Sequence, residues 1–298
     1  MPSIGVDIGG TSVKFGVVTT EGEVIAREAC PSPKDWQAMA ALIAGKVTCL
    51  RSEHPGPVGI CTAGTIGPDG QVTANQLGWN EVPLGAALQA ALGEKVPLIH
   101  DGHSALMAES VSGALKSMKS GLLVQLGTGI GGGFLSNGQP YVGRANVAPE
   151  IGHIITHADG LPCSCGQIGC WEAYASASAL SQLTGLSARE ALSRIAAGEL
   201  QDIWQGFVQE VAIGLMSLIG LLSPEAVAIG GGMPQAGPFV LADIKRALTR
   251  LPAYQRYYDF VRVLPAQHGN DAGIIGAALS AERMSANDSS QGKEHPTH

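Results

Sequence analysis

The sequence predicts an α/β chain of two related lobes facing an interlobe cleft, with a zinc-binding loop in the second lobe. Three observations predict it. A strand–glycine turn–strand unit occurs twice, with Val6-Asp-Ile-Gly-Gly-Thr lying over Val124-Gln-Leu-Gly-Thr-Gly at an offset of 118 residues. The composition, with 41 glycines in 298 residues, 45% hydrophobic and 14% charged, is that of a glycine-rich α/β enzyme. Half of the six cysteines, Cys163, Cys165 and Cys170, fall in one short loop with His153 upstream.

Length favours two domains or one large α/β unit over a single small core. A net charge of −7 offers no footprint for nucleic acid or an anionic membrane. The first residues enter an apolar strand by Ile4 without a basic leader, so nothing marks the chain for export. The longest apolar run, Val211 to Leu222, is short for a bilayer span and reads as a buried helix. Cys30, Cys49 and Cys61 are scattered and form no disulfide framework. The expected compartment is the cytoplasm.

In chain order, residues 4–18 are two β-rich runs joined by Gly9-Gly10-Thr11. The glycines let backbone N–H groups approach an anion, Thr11 adds a hydroxyl, and Lys14 is a nearby positive charge. Val24 to Glu28 is a third strand, so local sequence leaves an ordinary hairpin equally open. The second turn, Gly127-Thr128-Gly129, tips the balance, because one architecture used twice implies two lobes closing on one ligand. Gly127, Gly129 and Gly132 also satisfy a dinucleotide fingerprint, but that motif needs a helix next. Here Asn137-Gly138 signals a hairpin, followed by a strand-like Tyr141-Val142. The dinucleotide reading is rejected.

Between the turns, Asp35 to Arg51 patterns as a helix and Val58 to Thr62 as a buried strand. Asn75 to Asn80 is a polar, aromatic loop of the kind that meets ligands. Val82 to Gly93 is a short helix and Val96 to Ile99 a strand. Asp101 stands where that strand passes into the next helix. An isolated Asp there is first a helix cap. Beside two phosphate turns it is also well placed as a general base.

Three thiolates and the His153 imidazole complete a tetrahedral Cys₃His shell, the composition of a closed structural zinc site. Cys-x-Cys and Cys-x4-Cys are not the spacing of a dithiol oxidoreductase. Glu150 and Glu172 flank the shell and are read as contacts to a polyhydroxy ligand. After it, Ala173 to Gly185 and Ala188 to Ala197 are helices, and Gln201 to Leu222 a long buried one. Ala226 to Ile229 is a strand leading into Gly230-Gly231-Gly232, a turn suited to a purine and ribose. Val261 to Pro265 is the last strand and Asp271 to Glu282 the closing helix.

Together these elements resemble the ROK family (repressor, open reading frame, kinase) of the actin-like ATPase superfold, ribonuclease H-like in its core. The resemblance spans about residues 4–282. Its most specific part is Glu150-Ile-Gly-His153 followed by Cys-Ser-Cys-Gly-Gln-Ile-Gly-Cys-Trp-Glu. It implies transfer of the ATP γ-phosphoryl to a hexose or N-acetylhexosamine, usually at the 6-hydroxyl, with Mg²⁺ and a structural Zn²⁺. By position, Asp101 is then the base, and Gly64, Asn75, His100, Glu150, His153 and Glu172 face the sugar. His153, Cys163, Cys165 and Cys170 hold zinc. Asp7, Gly9, Gly10, Thr11, Lys14, Gly127, Thr128, Gly129, Gly230, Gly231 and Gly232 face ATP. The resemblance also implies a homodimer.

Two departures bear on the sugar. His100 replaces the Asn that usually precedes the base. Cys61-Thr-Ala-Gly64-Thr65 looks closer to the N-acetylmannosamine kinases than to the Pro-Gly of many glucokinases. Asn75-Gln-Leu-Gly-Trp79, in contrast, resembles a glucokinase loop expected to lie against the sugar, and a plain hexose is preferred. A ROK repressor needs a helix-turn-helix module before the first strand, where only three residues stand, so a sugar-sensing regulator is disfavoured. The expected layout is an N-terminal lobe of 1–110 joined by the closing helix 271–283, a C-terminal lobe of 111–270 with the zinc loop, and a disordered tail of 284–298.

Overall fold

The computed structural model describes residues 1–143, 149–257 and 259–291. It divides into two compact units, one built on Met1–Ser112 and the closing helix, the other on Gly113–Tyr141 and the chain that runs on to Gly269.

In the first unit, β1 (Ser3–Ile8), β2 (Ser12–Val18), β3 (Val24–Pro31), β4 (Val58–Thr62) and β8 (Leu98–His100) form one sheet in the order β3-β2-β1-β4-β8. β1 pairs antiparallel with β2 and parallel with β4, and β4 pairs parallel with β8. Buried on both faces, β1 reads as a nearly continuous apolar run rather than an alternation. One face carries Ile4, Val6, Ile8, Val58 and Ile60, packed with Met39, Ile43 and Val47 of α1 (Trp36–Glu53) and Leu84 and Leu88 of α2 (Leu84–Leu92). Asp35 starts α1 by accepting a 2.8 Å bond from the Ala38 N–H, an ordinary N-cap. A small sheet of β5 (Thr65–Ile66), β6 (Val72–Ala74) and β7 (Trp79–Val82) lies between β4 and α2 in sequence.

The opposite face is covered by α3 (Asp101–Ser112) and α9 (Ala272–Gln291). Glycine makes that approach possible. A Cβ on Gly5 would run into the Ile274 carbonyl, one on Gly59 into the Ala277 carbonyl, and one on Gly276 into the Ser104 carbonyl. α9 extends past the expected end at 283, so 284–291 are helix rather than tail. The rest of that tail lies outside the described residues.

The second unit repeats the plan. β9 (Gly121–Leu126), β10 (Ile130–Ser136), β11 (Gln139–Pro140), β12 (Ala226–Gly230) and β13 (Arg262–Pro265) take the order β11-β10-β9-β12-β13. β9 and β10 begin and end 118 residues after β1 and β2. Asn137 and Gly138 have φ of 52° and 74°, the pair of positive values that a two-residue type I′ hairpin requires. β11 is two residues long and precedes the strand expected at 141–142.

Leu122, Val124 and Leu126 pack into one core with Val211, Leu215 and Ile219 of α7 (Gln201–Leu222) and Val240 and Ile244 of α8 (Pro238–Thr249). By length and composition α7 could cross a membrane, but nine of its residues are buried within the unit. The single helix expected over 173–185 is broken into α4 (Glu172–Ala175) and α5 (Ala177–Thr184). Ser176 is extended, with ψ of 168°, and its side chain caps the Ala179 N–H at 3.1 Å. Serine competes with a continuing helix in this way because its hydroxyl supplies a backbone partner. α6 (Ala188–Ala196) begins on Ser187-Ala-Arg-Glu190, where the Ser187 hydroxyl accepts from the Glu190 N–H at 3.2 Å.

Gly59→Ala should therefore destabilise the protein by roughly 1–3 kcal/mol, the usual cost of overpacking. Gly45→Ala, on the open face of α1 where a Cβ meets nothing, should stabilise it by about 0.5–1 kcal/mol. Urea unfolding midpoints of the two variants check both signs.

Candidate active site

The first unit gathers its chemistry on one sheet edge. β1, β4 and β8 run parallel, and Ile8, Thr62 and His100 sit in register at their carboxyl ends. The residues that follow, Gly9 to Thr11, Ala63-Gly64 and Asp101, leave from that row. This is the edge where parallel α/β sheets place ligands.

In the Gly9–Thr11 turn the carbonyls are held from behind. Ser32 Oγ donates to Gly9 O at 2.5 Å, Lys34 Nζ to Gly10 O at 3.0 Å, and Ser32 N to Thr11 O at 3.1 Å. Among the described residues nothing accepts from the Gly10 or Thr11 N–H, so those donors are left for an anion. Lys34, which sequence reasoning passed over, also donates to Gln76 O at 3.0 Å and ties the turn to the loop of Asn75. Lys14 is engaged elsewhere, 3.3 Å from Asp7 Oδ2 and 3.0 Å from Asn270 O.

Gly10, Gly64 and Asn75 line one cavity of about 280 Å³ with Ala63, Thr65 and Gln76. Three residues predicted from scattered motifs thus share a wall. Trp79 does not join them. It is buried, its indole N–H donating to Lys34 O at 2.7 Å, so the tryptophan expected against the ligand is a core residue.

Asp101 is exposed at the first turn of α3. Its Oδ1 accepts from the Gly102 N–H at 2.7 Å and lies 3.3 Å from His100 Nδ1. Asp7 is deeper, its carboxyl against Gly273 of α9. Burial holds the Asp7 pKa above the ordinary carboxylate value, Lys14 opposes that rise, and the Asp101 charge adds to it. Burial, then the charges of Asp7 and Asp101, push the Cys61 thiol well up, so this cysteine is a neutral packing group.

The second unit mirrors the arrangement. Gly127–Gly129 leaves the end of β9 and Gly230–Gly232 the end of β12, strands that pair in parallel. Gly231, with φ of 91°, packs so closely on Leu126 that a Cβ would strike its backbone. The Gly127 carbonyl accepts from Ala177 N at 2.8 Å, and the Thr128 carbonyl from Ser178 Oγ at 2.7 Å. Again no described residue accepts from the Thr128 or Gly129 N–H. After the turn comes strand β10, not a helix, which bears out rejection of the dinucleotide motif.

The expected metal loop converges. One ligand atom from each of His153, Cys163, Cys165 and Cys170 lies within 4.8 Å of the others. Cys165 and Cys170 Sγ are 3.7 Å apart, as are Cys163 Sγ and His153 Nδ1. Zinc with ordinary Zn–S and Zn–N bonds sets tetrahedral edges of about 3.6–3.8 Å, so the four atoms fit that ion. His153 faces the thiols through Nδ1, which leaves Nε2 to a second partner. Backbone pairing closes the loop: Cys163 N donates to Gln167 O at 2.8 Å, and Trp171 N to Ile154 O at 2.8 Å. Glu150 is exposed just before the Ile151–His153 turn. Glu172 accepts from the Ile130 N–H at 2.8 Å through Oε2. That bond, 42 residues apart in sequence, carries no local signal.

The ROK family's sequence model matches residues 3–284. A glucokinase of Streptomyces coelicolor is 32% identical over 93% of this chain and 96% of its own. An N-acetylmannosamine kinase of Shigella boydii is 31% identical over 95% and 99%. Among solved structures, a ROK hexokinase from Thermus thermophilus superposes with a TM-score of 0.87 at 28% identity, over 96% of this chain and 100% of that one. A ROK glucokinase from Streptomyces griseus, in complex with glucose and AMPPNP, gives 0.79 at 30% identity, over 95% and 100%.

Two outcomes are expected. Protein prepared without chelator should hold one zinc per chain by elemental analysis, and Cys165→Ser should lose it. For Asp7, a raised folded pKa means stability present below its ordinary value of 3.8 and lost as pH rises through the folded value. Asp7→Asn escapes that loss. Its melting temperature relative to wild type should therefore climb between about pH 3 and about pH 7 in thermal unfolding.

Proposed function

This chain belongs to the ROK family, and on that premise we propose that it transfers the γ-phosphoryl of ATP to the 6-hydroxyl of a hexose. It is an ATP-dependent sugar kinase; the hexose and the role of each residue are the finer reading. The observation that supports it is the sheet edge of the first unit, where Asp101 follows the strand paired with the one leading to Gly64. The same edge carries the Gly9–Thr11 turn.

Asp101 commits Oδ1 to the Gly102 N–H, and Oδ2 takes the proton of the attacking hydroxyl. In the first unit, the turn N–H groups of Gly10 and Thr11 meet phosphate oxygens. In the second, Thr128 and Gly129 do the same while Gly230 to Gly232 line the nucleoside. Preorganised donors of this kind supply most of the rate in phosphoryl transfer. Mg²⁺, when bound, neutralises charge on the transferring phosphate. The single carboxylate of Asp7 fits an ion that keeps most of its ligands as water and phosphate. Asn75, Glu150, His153 and Glu172 are the hydroxyl contacts, and the zinc cluster is structural. ATP as co-substrate points to the cytoplasm, and the family resemblance to a dimer.

His100 Nδ1 lies 3.3 Å from the Gly102 N–H. The same nitrogen is 3.3 Å from Asp101 Oδ1, so the ring is held beside the base at the position where an Asn is usual and can meet a sugar hydroxyl. A second reading, an N-acetylhexosamine, is favoured by Gly64. It lines the cavity beside Asn75, and its φ of 90° with the Thr73 carbonyl standing where a Cβ would go requires glycine there, as in the Cys61-Thr-Ala-Gly64 stretch that resembles the N-acetylmannosamine kinases.

Asp101→Asn should lower kcat by about 10²–10⁴-fold while sugar binding survives, the usual loss for a positioned base. Near-wild-type turnover would leave Asp101 a helix cap only. In an ADP-release assay over glucose, mannose, fructose, allose, glucosamine, N-acetylglucosamine and N-acetylmannosamine, glucose should show the highest kcat/KM. Turnover confined to acetylated sugars selects the second reading, and no ATP-dependent turnover on any sugar removes both.

A further inference from the structure

A family kinase is expected to use Glu172 on the sugar, yet in this chain the carboxylate reaches the other substrate's turn. Glu172 Oε2 accepts from the Ile130 N–H at 2.8 Å, the first residue of β10 after Gly129. It lies so close that a Cβ on Gly129 would strike it. Five and six residues further on, Ala177 and Ser178 at the start of α5 grip the same turn from its carbonyl side. Ala177 N donates to Gly127 O at 2.8 Å, and Ser178 donates to Thr128 O through Oγ at 2.7 Å and through N at 3.4 Å. The break at Ser176 makes this possible, because a continuous helix would spend those N–H groups internally.

We propose that Glu172 is a positioning residue which, with Ser178, clamps the 127–129 turn so that its N–H groups stay aimed at phosphate. One carboxylate then serves two ends: Oε2 fixes the turn and Oε1 is left for a sugar hydroxyl. Glu172 is two residues from Cys170, so the metal loop sets the geometry of the phosphate turn as well as that of the sugar contacts. The proposal rests on the reading of 127–129 as a phosphate turn.

Charge and geometry predict opposite signs, which makes the test sharp. A carboxylate beside a phosphate site repels the ligand, so removing its charge alone should tighten nucleotide binding or leave it unchanged. Removing a clamp should weaken it. The zinc-loaded full chain, as wild type, Glu172→Gln, Glu172→Ala and Ser178→Ala, is titrated with Mg·AMPPNP by calorimetry without sugar. Amide exchange over 127–130 is followed by NMR without ligand.

Glutamine keeps an acceptor for the Ile130 N–H, so Glu172→Gln should bind nucleotide at least as tightly as wild type and protect the Ile130 amide within about threefold. Glu172→Ala should bind roughly tenfold more weakly and exchange that amide about tenfold faster, the scale of one charge-assisted hydrogen bond. Ser178→Ala, which leaves the metal loop alone, should speed exchange over 127–130 about threefold, and it decides the matter if Glu172→Ala fails to fold. Unchanged exchange in either alanine variant, or nucleotide bound by Glu172→Ala as tightly as by wild type, overturns the proposal. Wild type that binds no nucleotide removes the functional reading instead, while the exchange data still decide the clamp.

Discussion

Everything at the two glycine turns depends on where their carbonyls go. A tight glycine turn exposes donors and acceptors together, and an anion tolerates only the donors. In the first unit Ser32 and Lys34 occupy the carbonyls of Gly9, Gly10 and Thr11. In the second, the start of α5 occupies those of Gly127 and Thr128. The two solutions share no sequence. A serine hydroxyl acts in both, Ser32 on Gly9 O and Ser178 on Thr128 O, but the lysine of one unit is answered by the Ala177 N–H of a broken helix in the other, so the pinned carbonyl is what the repeated architecture preserves.

The same constraint explains the shape of the metal loop. A segment as short as Ile151 to Glu172 buries too little apolar surface to hold one conformation, and Ile155, Leu161 and Ile168 stay exposed along it. Four convergent donor atoms at tetrahedral spacing would supply the missing order once they hold a metal ion. With the loop fixed, Glu172 is held on the Ile130 N–H, while Glu150 stays exposed beside it.

The fold was legible in sequence wherever the signal was local. Glycine turns between apolar runs gave both hairpins and their offset, and Gln201 to Leu222 announced α7 to the residue because apolar periodicity persists until Ser223-Pro224. The Cys₃His set was legible from composition alone. Trp79 was misread because an aromatic residue in a polar loop has two possible sides, and burial decides between them only in three dimensions. The break at Ser176 and the length of α9 escaped for a related reason: serine and alanine are tolerated in helices, so tertiary packing sets the boundary. Lys34 and the Glu172–Ile130 bond join residues far apart in sequence, and no window of pattern reading spans them.

Glycine 214 shows how these long-range links are anchored. A glycine in the middle of α7 costs about 1 kcal/mol of helix propensity, and nothing in the local pattern justifies it. Its missing side chain is where the fully buried Trp171 ring lies against the helix, and the indole N–H donates to Glu210 O at 3.0 Å on the same helix. Trp171 stands between Cys170, one of the four convergent Cys/His residues, and Glu172, which accepts from the Ile130 N–H after the Gly127–Gly129 turn. One aromatic residue seated in a glycine notch thus ties both to the core helix of the second unit. The local cost at Gly214 is offset by rigidity one element away, where a loop side chain must hold a turn to within a hydrogen bond's tolerance.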